Sequence, residues 1–308
     1  MNNFKKIGLI VDEGADLPKE IIEKNQIEIV PFKLDWPEVK ELPGENIYQK
    51  MEEAEKRGMK TFGKTSQPSP KDFLDAFKKQ LERFEKLICI TITSKHSGTF
   101  NSAIQAKSFL DSNPPTTLPA SGWAHKKEKV FIIDSLNLSG GEGILVLKAI
   151  DLIKGGKNKI EEILKDLEIF RPKIHLWFSL KDPKWAEASG RISHLIANLI
   201  RGMAKVGVYP LIGLKNGEIK LMGIKRGVRD VKEALFKELE EKTRKLRAQK
   251  RKIIVVITHA DNLNEAQKLK EIIEAKLAGV EVVFLNLVNG IVGALAGPDA
   301  LCLAWSEA

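Results

Sequence analysis

The fold is decided by residues 87–100, which read Leu87-Ile88-Cys89-Ile90-Thr91-Ile92-Thr93-Ser94-Lys95-His96-Ser97-Gly98-Thr99-Phe100. The first six residues are apolar or β-branched, a composition typical of a buried strand. The short polar residues that follow predict a turn, and apolar spacing over residues 101–110 predicts a helix. A strand that passes through a turn into a helix begins a βαβ unit, the building block of a parallel sheet.

The same alternation extends over the first half of the chain. Apolar and β-branched runs predict three further strands, and apolar residues at three- and four-residue spacing predict three further helices. The strands are residues 7–11, 27–34 and 130–133, and the helices are residues 47–57, 71–84 and 142–154. The pattern predicts a parallel sheet with helices on both faces, and such sheets bind ligands beyond the carboxyl ends of their strands.

The second half of the chain mixes helices with a hairpin. Lys215-Asn216-Gly217 joins predicted strands at 206–214 and 218–224, because Asn-Gly supplies the positive φ of a tight turn. The other predicted elements are helices 159–170, 193–204, 230–250 and 263–277 and strands 174–178, 253–258 and 280–287. The second sheet is therefore expected to be at least partly antiparallel.

The chain is predicted to form two domains, with the first ending at Gly155-Gly156. Residues 1–155 are expected to form an N-terminal α/β domain with a parallel sheet, and residues 156–308 a C-terminal α+β domain with a mixed sheet. Each half is long enough to bury its own core. Residues 111–128 contain Pro114-Pro115 and show little periodicity, which predicts a surface insertion.

The composition favours a soluble cytoplasmic protein that binds no nucleic acid. The formal charge is +9 over 308 residues, but basic and acidic residues alternate and aromatic residues make up 6% of the chain, which indicates a solvated Lys/Glu surface. Cys89 and Cys302 lie in apolar runs, as core cysteines of a reducing compartment do. The apolar run 7–11 is too short for a signal peptide, and polar residues interrupt 285–305, so no membrane insertion is expected.

Two hydroxyl-rich turns carry the candidate ligand chemistry. The first is Lys64-Thr65-Ser66-Gln67-Pro68-Ser69-Pro70, and the second is residues 94–100. Each precedes a predicted helix, so short donors and free backbone N–H groups gather at the positive end of a helix, where a carboxylate or phosphate binds. In the alternative interpretation these residues are structural: Thr65 and Ser66 complete a turn, and Ser69 caps a helix that begins at Pro70.

Seven segments of the chain, taken together, carry a family resemblance. They are Ile-Val-Asp-x-x-Ala-Asp-Leu-Pro at 10–18, Thr-Ser-Gln-Pro-Ser at 65–69, Ser-Gly-Thr-Phe-Asn-Ser-Ala at 97–103, Ile-Asp-Ser at 133–135, Gly-Arg-Ile at 190–192, Pro-Leu-Ile-x-Leu-x-x-Gly at 210–217 and Gly-Pro at 297–298. In this order they resemble the DegV family of bacterial fatty-acid-binding proteins, over nearly the whole chain. The two hydroxyl motifs at this spacing are the most specific part of the match.

The resemblance implies a non-catalytic protein that buries a long-chain fatty acid between two domains, with no cofactor and no metal ion. The matching ligand-binding positions are Thr65, Ser66, Ser97, Gly98, Thr99 and Arg191. By this resemblance the hydroxyls of Thr65 and Ser97 hold the carboxylate, N–H groups around Gly98 assist them, and Arg191 lies near the head group or a partner surface. Some family members present the acid to a dihydroxyacetone-kinase-like fatty acid kinase, which makes an acyl phosphate for phospholipid synthesis.

Departures from the family pattern leave the partner and the head-group network open. Leu295 stands where the family often has a histidine, and His96 stands where it commonly has an apolar residue. His96 either compensates for the lost histidine or is an exposed turn residue. A lipid-sensing regulatory protein without a kinase partner is therefore one alternative function.

A second alternative is a Mg²⁺-dependent enzyme that acts on a phosphate ester. Four acidic residues at the predicted strand ends offer oxygen ligands for such an ion, namely Asp12, Asp16, Asp134 and Glu142. The chain has no Walker-type glycine loop and no His/Cys set with metal-ligand spacing. Asp16-Leu17-Pro18 is also typical of a helix start, so this alternative has the weaker support.

Overall fold

The first half of the chain alternates strands with helices, as predicted. The structure is a computed structural model that describes residues 5–112, 128–156, 159–180, 182–206 and 208–308. The strands of this half are β1 (Lys5–Asp12), β2 (Glu28–Val30), β3 (Lys33–Asp35), β4 (Lys64–Ser66), β5 (Phe84–Thr91) and β6 (Val130–Asp134). The helices are α1 (Lys19–Asn25), α2 (Pro37–Lys40), α3 (Ile47–Lys56), α4 (Pro70–Leu81), α5 (Thr99–Ser112) and α6 (Ser139–Lys154).

The second half contains six helices and six strands among the described residues. The helices are α7 (Ile160–Phe170), α8 (Lys184–Ala188), α9 (His194–Lys205), α10 (Val231–Ala248), α11 (Leu263–Lys276) and α12 (Gly290–Ala296). The strands are β7 (His175–Ser179), β8 (Tyr209–Lys215), β9 (Glu218–Lys225), β10 (Ile253–His259), β11 (Val280–Leu287) and β12 (Leu301–Glu307).

The N-terminal sheet is parallel, with strand order β2-β1-β5-β6. Val11 pairs with Ile90, and Thr91 pairs with Asp134, so β1, β5 and β6 end at the same level. The three loops that follow these strands therefore converge on one edge of the sheet. Carboxylates tie the loops together: Ile92 donates its N–H to Asp12 over 2.7 Å, and Ser94 donates its N–H to Asp134 over 3.2 Å.

The C-terminal sheet is mixed, with strand order β11-β10-β12-β7-β8-β9. Only the β10–β11 pair is parallel, and the other four pairs are antiparallel. β8 and β9 form the predicted hairpin, whose turn places Asn216 at φ 53° and Gly217 at φ 82°. The prediction of an α/β chain with a parallel and a mixed sheet is confirmed.

Helices α6 and α7 lie between the two sheets. One apolar cluster joins residues of the N-terminal sheet, such as Ile88, to α6 and to residues of the C-terminal sheet, such as Val256. The first turn of α6 approaches that second sheet closely, since a Cβ at Gly140 would lie 2.7 Å from the Val256 side chain. The predicted domain boundary at residue 155 falls between α6 and α7, in the middle of this shared layer.

The strands differ from the prediction at three places. The expected strand 27–34 is two strands, β2 and β3, because Pro31 between them cannot donate a ladder hydrogen bond. Residues 64–66, expected to be a turn, form β4 and pair with β3. Residues 301–307 form β12, the strand between β10 and β7, although the apolar composition of this run by itself indicates only core residues. Most of the predicted insertion, residues 113–127, lies outside the described residues.

Asp16 links the N-terminal loop at residues 12–18 to the C-terminal lobe. The N-terminal and C-terminal lobes are the described residues up to 156 and from 159 onward. One of its carboxylate oxygens accepts hydrogen bonds from the N–H and the side-chain amide of Asn289, over 2.8 and 2.7 Å. The other accepts a hydrogen bond of 2.5 Å from the Ser139 hydroxyl, which in turn lies 2.7 Å from the hydroxyl of Thr258. Asp16 is buried, so these partners cannot turn to water instead.

We expect Asp16→Ala to lower the free energy of unfolding by about 3 kcal/mol or more, because it leaves several buried donors unpaired at about 1–3 kcal/mol each. Asp16→Asn is the matched control, since it keeps one acceptor for Asn289 and is expected to cost about 1 kcal/mol. Urea denaturation followed by circular dichroism measures both values. Equal stabilities of the alanine variant and the wild type would contradict this account of the link between the lobes.

A cavity between the two lobes

A cavity of about 390 Å³ lies where the carboxyl edge of the N-terminal sheet meets the C-terminal lobe. This volume is in the range of ordinary ligand pockets. The polar residues in its wall are Thr65, Ser66, Gln67, His96, Ser97, Gly98, Ser139 and Arg191. The apolar residues are Phe32, Ile92, Leu138, Phe178, Leu180, Ala186, Ile192, Ile219, Val288, Ile291, Val292, Leu295, Ala296, Ala300 and Cys302.

The polar residues of the two hydroxyl turns form one group. Thr65 on β4 accepts a hydrogen bond of 3.3 Å from the Arg191 guanidinium, although the two residues are 126 positions apart in the sequence. Gln67 extends to the second turn, where it packs on the backbone of Gly98 and donates a hydrogen bond of 3.1 Å to the Ser102 hydroxyl. Five of the six predicted site residues therefore line the cavity: Thr65, Ser66, Ser97, Gly98 and Arg191.

Thr99, the sixth predicted residue, does not line the cavity. It is buried at the start of α5, and its hydroxyl lies 2.7 Å from that of Ser97. The Ser97 hydroxyl also accepts a hydrogen bond of 3.3 Å from the Thr99 N–H. Thr99 thus fixes the side chain of Ser97 from behind.

Backbone donors are free at the second turn. Among the described residues, none accepts a hydrogen bond from the N–H groups of Ser97 and Gly98. Both groups precede α5, a helix of 14 residues, so they lie at the positive end of its dipole. A Cβ at residue 98 would collide with the amide of Gln67, and glycine is therefore the residue that lets this turn and Gln67 pack together.

The charge in the cavity wall favours an anion. Arg191 is half-buried, and although burial lowers its pKa, a guanidinium stays protonated at neutral pH. Among the described residues that line the cavity, none is Asp or Glu. A carboxylate there would meet a cation, hydroxyls and free N–H groups without facing a like charge.

The exposure of the wall differs between its two ends. Ser66 and Gln67, in the polar group, are exposed to solvent, whereas Leu180, Ala186 and Ala300 are buried. The polar end of the cavity therefore lies at the protein surface, and the apolar end reaches into a cluster formed with α8, α9 and α12.

Sequence reasoning missed several residues of the wall. Gln67 belongs to the Thr-Ser-Gln motif at residues 65–67, and its place beside Thr65 and Ser66 could have identified it as a residue of the cavity wall. Ile291, Val292, Leu295 and Ala296 come from α12, a helix that was not predicted because seven residues give little periodicity. Asn289 caps this helix by accepting hydrogen bonds from the N–H groups of Ile291 and Val292.

Three of the four acidic residues of the enzyme alternative accept hydrogen bonds from the protein, and Glu142 has no partner among the described residues. Both oxygens of Asp12 accept backbone hydrogen bonds, from Gly14 and Ile92, and Asp134 accepts two from Ser94 and Leu136. Within the described ranges, no group of three or more His, Cys, Asp or Glu residues is placed to hold a metal ion.

The described ranges contain no helix with the length and apolar composition of a membrane span.

Comparison with known proteins agrees with the sequence motifs. The family described as "uncharacterised protein, DegV family" matches residues 6–308. The chain belongs to the DegV family. A DegV domain-containing protein of Clostridium acetobutylicum is 31% identical over 317 residues, which cover 99% of this chain and 99% of the relative.

Two further similar proteins have a functional description. A protein of Thermotoga maritima named fatty acid-binding protein is 27% identical over 306 residues, covering 94% of this chain and 96% of its own. The crystal structure of a stearic acid-binding protein from Eubacterium ventriosum superposes with a TM-score of 0.79 at 23% identity, covering 99% of this chain and 98% of its own. Both proteins are described by the fatty acid that they bind, which agrees with the prediction of a non-catalytic protein.

Glu142 is a fully buried carboxyl whose two oxygens have no hydrogen-bond partner within the described residues. Burial raises its pKa well above the ordinary 4.5, and the nearby Asp12, Asp16 and Asp134 raise it further. Above pH 4.5 the folded chain thus keeps a proton that the unfolded chain releases. The contribution of this side chain to stability is therefore largest at low pH and declines as the pH rises above 4.5.

We expect Glu142→Gln to make the free energy of unfolding fall less steeply with rising pH, because glutamine has no proton to release. The gain relative to wild type should grow as the pH rises above about 5, by about 1.4 kcal/mol for each pKa unit of the upward shift. Urea denaturation across this range measures the difference, with exposed Glu281→Gln on β11 as the control. Parallel pH curves for wild type and variant would show that Glu142 is ionised in the fold.

Proposed function

We propose that this chain binds a long-chain fatty acid, with the carboxylate at the polar end of the cavity and the acyl tail along its apolar wall. The observation that carries the proposal is one cavity that has Thr65, Ser97 and Arg191 in its wall together with apolar side chains of both lobes, and Arg191 is hydrogen-bonded to Thr65. The names of the Thermotoga maritima and Eubacterium ventriosum relatives support the same class of ligand.

The proposal divides the binding energy between tail and head. Each methylene group removed from water contributes about 0.8 kcal/mol, so a tail of about twelve groups offers on the order of 10 kcal/mol before the costs of association. One hydrogen bond to a charged group contributes about 1.5–3 kcal/mol. We infer that the tail contributes most of the affinity and that the hydroxyls fix where the carboxylate lies.

Three kinds of donor support the carboxylate position. The Arg191 guanidinium already donates to Thr65, which leaves the Thr65 hydroxyl hydrogen free to point toward a ligand. The Ser97 hydroxyl and the unpaired N–H groups of Ser97 and Gly98 lie at the start of α5. The helix dipole favours a negative charge at this point by about 0.3–1 kcal/mol.

We further propose that the bound acid is presented to a fatty acid kinase of the dihydroxyacetone-kinase-like type. Exposure of Ser66 and Gln67 supports this, since a partner needs access to the carboxylate from the surface. The family resemblance of the two hydroxyl motifs also supports it. A lipid sensor without a kinase needs no such access. Formation of an acyl phosphate with a kinase distinguishes the substrate-presenting protein from the lipid sensor.

We expect the double variant Thr65→Ala/Ser97→Ala to bind palmitate at least tenfold more weakly, because two charge-assisted hydrogen bonds are lost. Isothermal titration of delipidated protein measures the affinity, and mass spectrometry of organic extracts measures the acid retained after purification. The matched control is Ser108→Ala/Ser112→Ala, two exposed hydroxyls on α5. If the double variant retains palmitate as the wild type does, these two residues do not hold the head group.

The kinase step is tested separately with a fatty acid kinase from the same source. Wild type loaded with palmitate, ATP and the kinase should yield palmitoyl phosphate, trapped with hydroxylamine as the hydroxamate. The double variant should yield less of it even when fully loaded, because its carboxylate is misplaced. Wild type that binds palmitate but yields no hydroxamate would refute the kinase partnership and leave the lipid sensor.

A further inference from the structure

His96 lies in the cavity wall directly before Ser97, at the point where the hairpin of the C-terminal lobe meets the N-terminal lobe. The Thr93 hydroxyl donates a hydrogen bond of 3.1 Å to the carbonyl of Gly217 in the hairpin turn. The N–H of Ile219 on β9 donates a hydrogen bond of 3.1 Å to Nε2 of His96. The His96 ring therefore belongs to the polar end of the cavity and to the contact between the lobes.

The bond from Ile219 fixes the tautomer of His96. An N–H donor needs a lone pair on Nε2, so the neutral ring must carry its proton on Nδ1. The ring is half-buried, and burial, together with the nearby Arg191, lowers the pKa of His96. At neutral pH the side chain is therefore an uncharged donor through Nδ1–H.

The Nδ1–H group is available for a ligand. No described residue accepts a hydrogen bond from it, whereas the Ile219 bond occupies the other ring nitrogen. An N–H group in the cavity wall that no protein atom accepts from gains a charge-assisted hydrogen bond when a carboxylate enters. The adjacent groups on the same turn are the unpaired N–H groups of Ser97 and Gly98, so the donors form a continuous set.

We propose that Nδ1–H of His96 donates a hydrogen bond to the carboxylate of the bound fatty acid, so that His96 is a further head-group residue of this chain. This inference rests on the proposed function. It assigns two roles to one imidazole, because Nε2 holds the hairpin while Nδ1 holds the ligand. Ligand binding then strengthens the contact between the lobes, since an anion at Nδ1–H makes Nε2 a stronger acceptor.

Two substitutions separate the two ring nitrogens. The amide nitrogen of asparagine replaces the Nδ1 donor, and the amide oxygen of glutamine replaces the Nε2 acceptor. His96→Gln should keep the bond from Ile219 and bind palmitate about tenfold more weakly, the effect of one hydrogen bond to a charged group. His96→Asn should keep the ligand bond and change palmitate affinity by less than about threefold.

Hexadecanol, which has the same tail and no carboxylate, is the ligand control, and its affinity should be equal in wild type and His96→Gln. His194→Gln, an exposed histidine on α9, is the protein control. In ¹⁵N spectra of the imidazole, wild type should show the Nδ1–H tautomer, and palmitate should shift the Nδ1 resonance.

Three outcomes would overturn the assignment of His96. The first is equal palmitate affinity in wild type and His96→Gln. The second is a loss of palmitate affinity in His96→Asn alone, which would indicate only a structural bond to Ile219. The third is an Nε2–H tautomer in the ¹⁵N spectra. All three outcomes require that the wild-type protein binds palmitate. Wild type that binds no fatty acid would instead refute the proposed function itself, so the two failures are distinguishable.

Discussion

The structure depends on the burial of the carboxyl edge of the N-terminal sheet beneath the C-terminal lobe. Loops at such an edge carry many backbone N–H groups, and once water is excluded each of them needs an acceptor. Asp12 and Asp134 supply these acceptors within the edge, by binding the N–H groups of Ile92 and Ser94. Asp16 supplies one across the lobes, to the N–H of Asn289, and also accepts a hydrogen bond from the Ser139 hydroxyl.

At this buried edge the acidic residues serve the fold as hydrogen-bond acceptors. Burial raises the pKa values of Asp12 and Asp16 to about 7, while the hydrogen bonds they accept lower them. Their oxygens are used as acceptors for the fold, and Glu142 beside them has no partner in the described part of the chain. A cluster of carboxyls at strand ends is therefore a structural device here, although the same residue types at a solvated edge bind Mg²⁺ in other proteins.

The cavity forms where the two lobes meet, and each lobe supplies a different part of its wall. The N-terminal lobe supplies the polar group on two turns, and the C-terminal lobe supplies Arg191 and most of the apolar wall. Since α12 forms part of that wall and Asn289 caps α12, the bond between Asp16 and Asn289 also supports the cavity. One carboxylate thus connects the stability of the fold with the shape of the proposed ligand site. The His96–Ile219 bond makes a second connection at the polar end.

The sequence by itself determined the parallel sheet, the mixed sheet, the hairpin at Asn216-Gly217 and the two hydroxyl turns, because these depend on local periodicity and turn chemistry. Only the tertiary structure decided that Arg191 meets Thr65, that Thr99 supports Ser97 from behind, and that the apolar run at Leu301 is a strand inside the sheet. Such contacts join residues far apart in the chain, and packing selects them without leaving any period in the sequence. The tautomer of His96 also depends on the tertiary structure, since the N–H that fixes it belongs to Ile219 in the other lobe.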